Sequence, residues 1–308
     1  MGTANNIRHF IAPLNLAGNT TEQQGVEMQQ LLGEAVQQAC LTAMERIDHQ
    51  GAQAVLERGE KLTPEVIESL VAIIQRQTIS EKYLDEQVGS DRMYPPSYRV
   101  RPVEAQVSVL RKFFPSLGRC QESLGRRPLP EGAEGWFAIP RWQAVARTYN
   151  EAVEVVLKEL ARTRRLENLI QGRMDSSYLR QTERLVLAGK ILAEQQTGDD
   201  ILVVAAQAGM RHRGCSARRA RVAMAGNEFG AGAFAVVCML LTHPERLSIR
   251  NTLMIDCSGD EYSLRADGVF DRMPLFDFDI SGLEFSTYYE DRSRNAWGTP
   301  SGFLCKAV

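Results

Sequence analysis

The sequence predicts an α+β fold, predominantly helical with a small C-terminal antiparallel β element. Three observations carry the prediction. Apolar residues recur at three- and four-residue steps through much of the first 247 positions. After residue 250 the period drops to two, in PLFDFDISGLEFSTYY. Pro95, Pro96 and Pro102 separate an N-terminal helical region, 1–94, from an α+β domain, 95–308.

The elements follow in order. Residues 21–58 read as one long helix, because Met28, Leu31, Leu32, Ala35, Val36, Ala39, Cys40, Met44 and Ile47 share a face. Thr63 and Pro64 cap and open a second helix. A short helix follows at 103–114, then the Gly- and Pro-rich loop GRRPLPEGAEG. WFAIPRW is apolar enough to be buried, and Pro140 is read as opening a helix through Trp142, Tyr149, Val153 and Leu160. Asp175 or Ser176 is read as capping another, through Tyr178, Leu179, Leu185 and Leu192. ILVV, at 201–204, fits either a buried strand or a helix. At the end, Ser281 and Gly282 are the two turn residues of a hairpin at 274–289. That register pairs Ile280 with Leu283 and Phe278 with Phe285, and sets Asp279 opposite Glu284.

Composition excludes the extremes. The 308 residues are 44% hydrophobic and 24% charged, with net charge −2, so electrostatic function must come from local asymmetry. The longest apolar run, AGAFAVVCMLL, is too short to span a bilayer. The N-terminus lacks a basic segment followed by an apolar run, so a cytoplasmic chain without membrane partners is expected. The six cysteines are scattered without CxxC or CxxH spacing, which points to reduced, structural thiols. No cofactor motif is present: GNEFGAGAF matches neither dinucleotide nor P-loop patterns.

One stretch stands out. MRHRGCSARRARVAMAGNEFG carries Arg211, Arg213, Arg218, Arg219 and Arg221 around His212. A helix-turn-helix is one reading, with Ala205 and Gly209 at the required spacing. Gly214 inside the would-be recognition helix counts against it, as does Arg218 at an inward position. A second reading keeps the five arginines as a polyanion-binding patch for nucleic acid or an acidic protein, with Ser216 capping a short helix. A third is internal. Residues 201–250 carry seven Arg against two Glu, while 251–308 carry ten acids against five bases, so the two segments balance at +5 and −5.

The acidic segment offers a metal-dependent alternative through Asp277, Asp279 and Glu284. Solvated acids on the wet face of a hairpin explain the same pattern. Pairing of Cys215 with His212 or His243 is a further catalytic alternative. The sequence therefore reads first as a non-enzymatic binding protein contacting nucleic acid or another polyanion. The alternatives are a hydrolase-type enzyme with a site between the basic segment and the acidic hairpin, and a structural protein whose extra helices form a homo-oligomer.

Overall fold

The structure is a computed structural model. It describes residues 82–305, together with helical positions 30, 31, 33, 34, 36–38, 41, 42 and 53. The chain forms two compact units, 1–71 and 72–308. In the first, the described positions are helical, as the 21–58 periodicity predicts. Gln30 there donates to Glu34 at 3.2 Å, one turn on. The helix begun by Thr63 and Pro64 lies outside the described residues, as do His9, Cys40 and His49.

The second unit overturns the predicted fold class. It is not helical with one small β element: its described residues form eleven strands in two sheets. The first sheet is antiparallel throughout. It orders β1 (Gly135–Pro140), β4 (Ile201–Gln207), β11 (Ser301–Phe303) and β5 (Glu228–Gly230) side by side. The second sheet is mixed. Its path runs β10 (Trp297–Gly298), β6 (Met254–Asp256), β8 (Arg272–Asp279), β7 (Asp260–Tyr262) and β3 (Leu179–Gln181). On β8 rests β9 (Gly282–Tyr289), and on β9 rests β2 (Leu166–Asn168).

The misreading has a physical cause. WFAIP and ILVVAAQ are buried on both faces, so their strands show a continuous apolar run instead of alternation. Most of the remaining strands are two or three residues long, too short to carry a period.

Helices α1 (Val103–Phe113), α2 (Tyr149–Thr163), α3 (Glu183–Gln195), α4 (Ala217–Ala223) and α5 (Ala233–Thr242) accompany the sheets. The first falls where the sequence predicts it. Pro140 ends β1 instead of opening a helix, and α2 starts nine residues later. Its start is set by a capping box, Thr148 with Glu151. Likewise Leu179 belongs to β3, and Thr182 caps α3 by accepting from the Leu185 amide at 3.3 Å. The apolar run too short for a bilayer becomes α5, hydrophobic on all sides and buried along nearly its whole length. Among the described residues no helix is long and apolar enough to cross a membrane.

The hairpin register also differs from the prediction. Asp279 Oδ1 accepts from both the amide and the hydroxyl of Ser281, which moves the turn to Ile280 and Ser281. Phe278 therefore pairs with Leu283, Phe276 with Phe285 and Asp277 with Glu284. The last apolar pair places its ring centroids 4.6 Å apart.

Two glutamines finish the first sheet. Among the described residues, no strand lies beside the outer edge of β1. Gln106 of α1 donates to the Trp136 carbonyl at 2.8 Å and accepts from the Ala138 amide at 2.9 Å, as a neighbouring strand would. Gln196 does the same for Val203, at 3.0 and 2.8 Å, beyond the end of β11. Gln106→Ala leaves two buried backbone groups unpaired, each costing about 1–3 kcal/mol. The expected result is a clearly lower urea midpoint with unchanged slope. A midpoint within error of wild type would show that the edge does not need the glutamine.

Candidate functional site

The sequence points to the arginines of residues 211–221. The helix-turn-helix reading of this stretch fails: Ala205 lies in β4, and Gly209 sits in a loop with φ +129°. Ser216 does cap a short helix, α4, by accepting from the Arg219 amide at 3.0 Å. The guanidinium groups are mostly engaged within the chain. Arg218 Nε meets the Glu86 carboxylate at 2.8 and 3.0 Å, beside the Ser216 hydroxyl on the same acid. Arg219 is buried and donates to the Lys82 carbonyl at 2.9 Å. Arg221 pairs with Glu290 and donates to the Ser258 and Asp260 carbonyls at 2.8 and 2.9 Å. Arg211 meets Glu228 at 3.2 Å, and Arg213 touches the Met93 sulfur at 3.4 Å. The five do not share one open face. Their acids are Glu86, Glu228 and Glu290, of which only the last belongs to the acidic C-terminal segment.

Glu228 is the most enclosed of these. Burial acts to raise its carboxyl, but His212 at 2.7 Å, the Ser301 hydroxyl and the Ala225 amide together hold it at about 2. The acids weighed for a metal stand apart from the arginine stretch. Asp277 faces Glu284 across the ladder, and Asp279 is held in its turn by Ser281. No group of three or more His, Cys, Asp or Glu among the described residues is arranged to hold a metal ion. The Cys215 thiol is raised by burial, which disfavours the thiolate despite the nearby Arg219. Burial lowers His243 to about 4, so it stays neutral and accepts from the Arg101 amide at 3.0 Å.

A cavity of 330 Å³ lies elsewhere, between the first sheet and α3. Its floor is the face of that sheet carrying Phe137, Ile139, Leu202, Val204 and Phe229. Its roof is α3, through Leu185, Gly189, Leu192 and Ala193, and α5 closes one side with Phe234 and Met239. Residues at i, i+4, i+7 and i+8 share one face of a helix, so the sequence of α3 aims this set inward. Exposed Gln143, Val186 and Lys190 mark the rim. Gly189 is informative. It sits mid-helix, where alanine would be favoured by about 1 kcal/mol, yet a Cβ built on it meets nothing within 4 Å.

The polar groups of the cavity are few, and none is a carboxylate. Arg141 stands against the C-terminal end of α3, donating to the Ala193 and Gln196 carbonyls at 3.0 and 2.7 Å. Near the first turn of α3 lies the Tyr149 hydroxyl. It donates to both oxygens of Asp260, each at 2.8 Å. Asp260 also accepts from the Ala233 amide at 2.6 Å, at the N-terminus of α5. This crowding requires glycine at 232. A Cβ there would stand 2.5 Å from Tyr149 Oη, 2.6 Å from Asp260 Oδ1 and 2.9 Å from Leu185 Cδ2. Burial raises the Asp260 carboxyl to about 7, against the Ala233 amide, the Tyr149 hydroxyl and Arg221, which pull it down. A pocket with convergent polar groups and a displaced carboxyl is the usual signature of a ligand site.

None of Tyr149, Gly189, Gly232 and Asp260 is legible as a site residue in the sequence. Tyr149 and Asp260 are 111 positions apart, and neither lies in a motif. Gly189 is the one local signal, a glycine interrupting an otherwise good helix. Comparison with protein-family models, with curated proteins and with solved structures returns no match.

A second buried acid separates structure from site. Asp256 is fully buried, and neither carboxylate oxygen has a hydrogen-bond partner among the described residues. Burial pushes its carboxyl well above the ordinary 3.8. A folded-state value above the unfolded one gives stability that is complete below 3.8 and drains away as pH rises through the folded value. Asp256→Asn removes that drain. Its advantage over wild type in thermal denaturation should be small at pH 4 and should widen toward pH 7. A gap that does not widen would mean the carboxyl ionises freely in the fold.

Proposed function

We propose that the chain binds a small, mainly apolar molecule with a negatively charged end, held between the first sheet and α3. The observation that carries this is the wall of the cavity. Aromatic and aliphatic side chains line it, two cations, Arg141 and Lys190, border it, and no carboxylate does. An apolar body desolvated there gains roughly 25 cal/mol per Å² of surface removed from water. The cations favour an anionic end, more strongly at low ionic strength. This keeps the functional class expected from the sequence, a binding protein, and moves the binding element from the arginine stretch to the cavity. Polyanion binding remains a second reading for Arg211, whose side chain is 36% exposed. Steep salt dependence, unaffected by filling the cavity, would favour it.

The test uses the fluorophore 1-anilinonaphthalene-8-sulfonate and the variant Gly189→Leu. Leucine at 189 points into open space and is a better helix former than glycine, so it fills the cavity while stabilising α3. Fluorescence titration should show saturable binding to wild type and at least a tenfold loss in the variant, with the melting temperature equal or higher. Equal affinity in both proteins would remove the cavity as the site.

A further inference from the structure

Tyr149 and Asp260 do more than fill space beside the cavity. Asp260 is fully buried and does not line it; Tyr149 does. Tyr149 Oη stands against Gly232, a residue of the cavity wall. The hydroxyl, hydrogen-bonded to the buried carboxyl and set beside the wall residue Gly232, links that carboxyl to the cavity. Resting on the cavity as a ligand site, we infer that Tyr149 Oη reads an oxygen of the bound molecule, and that protonation of Asp260 sets whether it accepts a hydrogen bond or donates one.

Protons and lone pairs decide which role the hydroxyl takes. With Asp260 ionised, the tyrosine proton is committed to the carboxylate, which accepts it on two oxygens at 2.8 Å. Tyr149 then offers the cavity lone pairs only, and a hydroxyl of the ligand satisfies them. With Asp260 protonated, the acid has its own proton to give to Oη. The tyrosine proton is freed, and it seeks an acceptor such as a ketone or carboxylate oxygen. The Ala233 amide, at 2.6 Å from Asp260 Oδ2, holds the carboxyl in place in both states.

The charged and titratable groups around Asp260 are Arg221 from α4, Glu261 beside it on β7, and Cys257 in the preceding turn. Arg221 is itself paired with Glu290, and Glu261 with Arg180 at 2.7 Å. Burial, and to a smaller extent Glu261, favours the neutral acid; the Ala233 amide, the Tyr149 hydroxyl and Arg221 favour the ionised one. Their balance places the exchange near pH 7. Tyr149 does not lose its own proton in this range, because burial and Asp260 push it well above its ordinary value.

The experiment measures displacement of 1-anilinonaphthalene-8-sulfonate by nonane, 2-nonanone and 1-nonanol at pH 5.5 and pH 8.5. The ketone only accepts, so it should bind roughly three- to tenfold more tightly at the lower pH, the worth of one hydrogen bond. Nonane, with no polar atom, and nonanol, with both donor and acceptor, should not respond to pH. Asp260→Asn gives the tyrosine a permanent N–H donor and frees its proton, so the ketone should bind tightly at both pH values. Tyr149→Phe should make ketone and nonane equal while the dye still binds. If that variant does not fold, the wild-type pH comparison with Asp260→Asn decides alone. A ketone affinity that ignores pH in wild type, while nonane still displaces the dye, overturns this inference and leaves the cavity reading standing. Failure of nonane to displace the dye, with Gly189→Leu binding dye normally, overturns both.

Discussion

The site depends on one place where backbone meets backbone. The segment 230–232, leaving the first sheet, lies directly on 258–260, which turns between two strands of the second. A Cβ on Gly259 would stand 2.4 Å from the Gly230 carbonyl oxygen and 2.6 Å from the Gly232 nitrogen. Only glycine permits that approach. The Gly259 amide donates to the Ala231 carbonyl at 3.0 Å, and its carbonyl accepts from the Thr182 amide at 2.8 Å. A single contact thus joins both sheets, starts α5, anchors the cap of α3 and delivers Asp260 to Tyr149. Separate these backbones by the width of a methyl group and the cavity loses its inner wall.

Some of this is legible in the sequence. Local rules hold where local forces decide: α1 falls as its periodicity says, and Ser216 caps α4 as a favoured N-cap residue does. They fail where tertiary contact decides. Pro140 is a good opening residue for a helix, yet it ends a strand whose edge is closed by a glutamine 34 positions earlier in the chain. The hairpin is recognisable from its alternation, but its register turns on Asp279 accepting from Ser281, a side-chain bond that outweighs the turn preference of Ser-Gly. Likewise the cavity is assembled from five strands and three helices far apart in sequence, and no segment of it carries a distinctive pattern.

In the basic stretch, dense charge is not the same as free charge. Five arginines in eleven positions suggest an outward-facing grip. The guanidinium group, however, is also the side chain best suited to holding backbone together, because it donates to several carbonyls at once. Arg221 and the fully buried Arg246 do this, the latter donating to the Ala208 carbonyl at 3.0 and 2.7 Å and to that of Leu253 at 2.8 Å. The expected balance between basic and acidic segments exists in total charge. In space it is met by three glutamates, two of which lie outside the acidic segment.

Strand β11 sets an order of events. It lies between β4 and β5 and is the last strand of the described chain, although its partners come from much earlier residues. As the polypeptide leaves the ribosome, β4 and β5 emerge well before the strand that joins them. Until residues 301–303 appear, both carry open hydrogen-bonding edges, and the floor of the cavity is incomplete. Such edges are templates for pairing with other chains. The nascent protein therefore has a stage, set by topology alone, at which a chaperone has the most to protect.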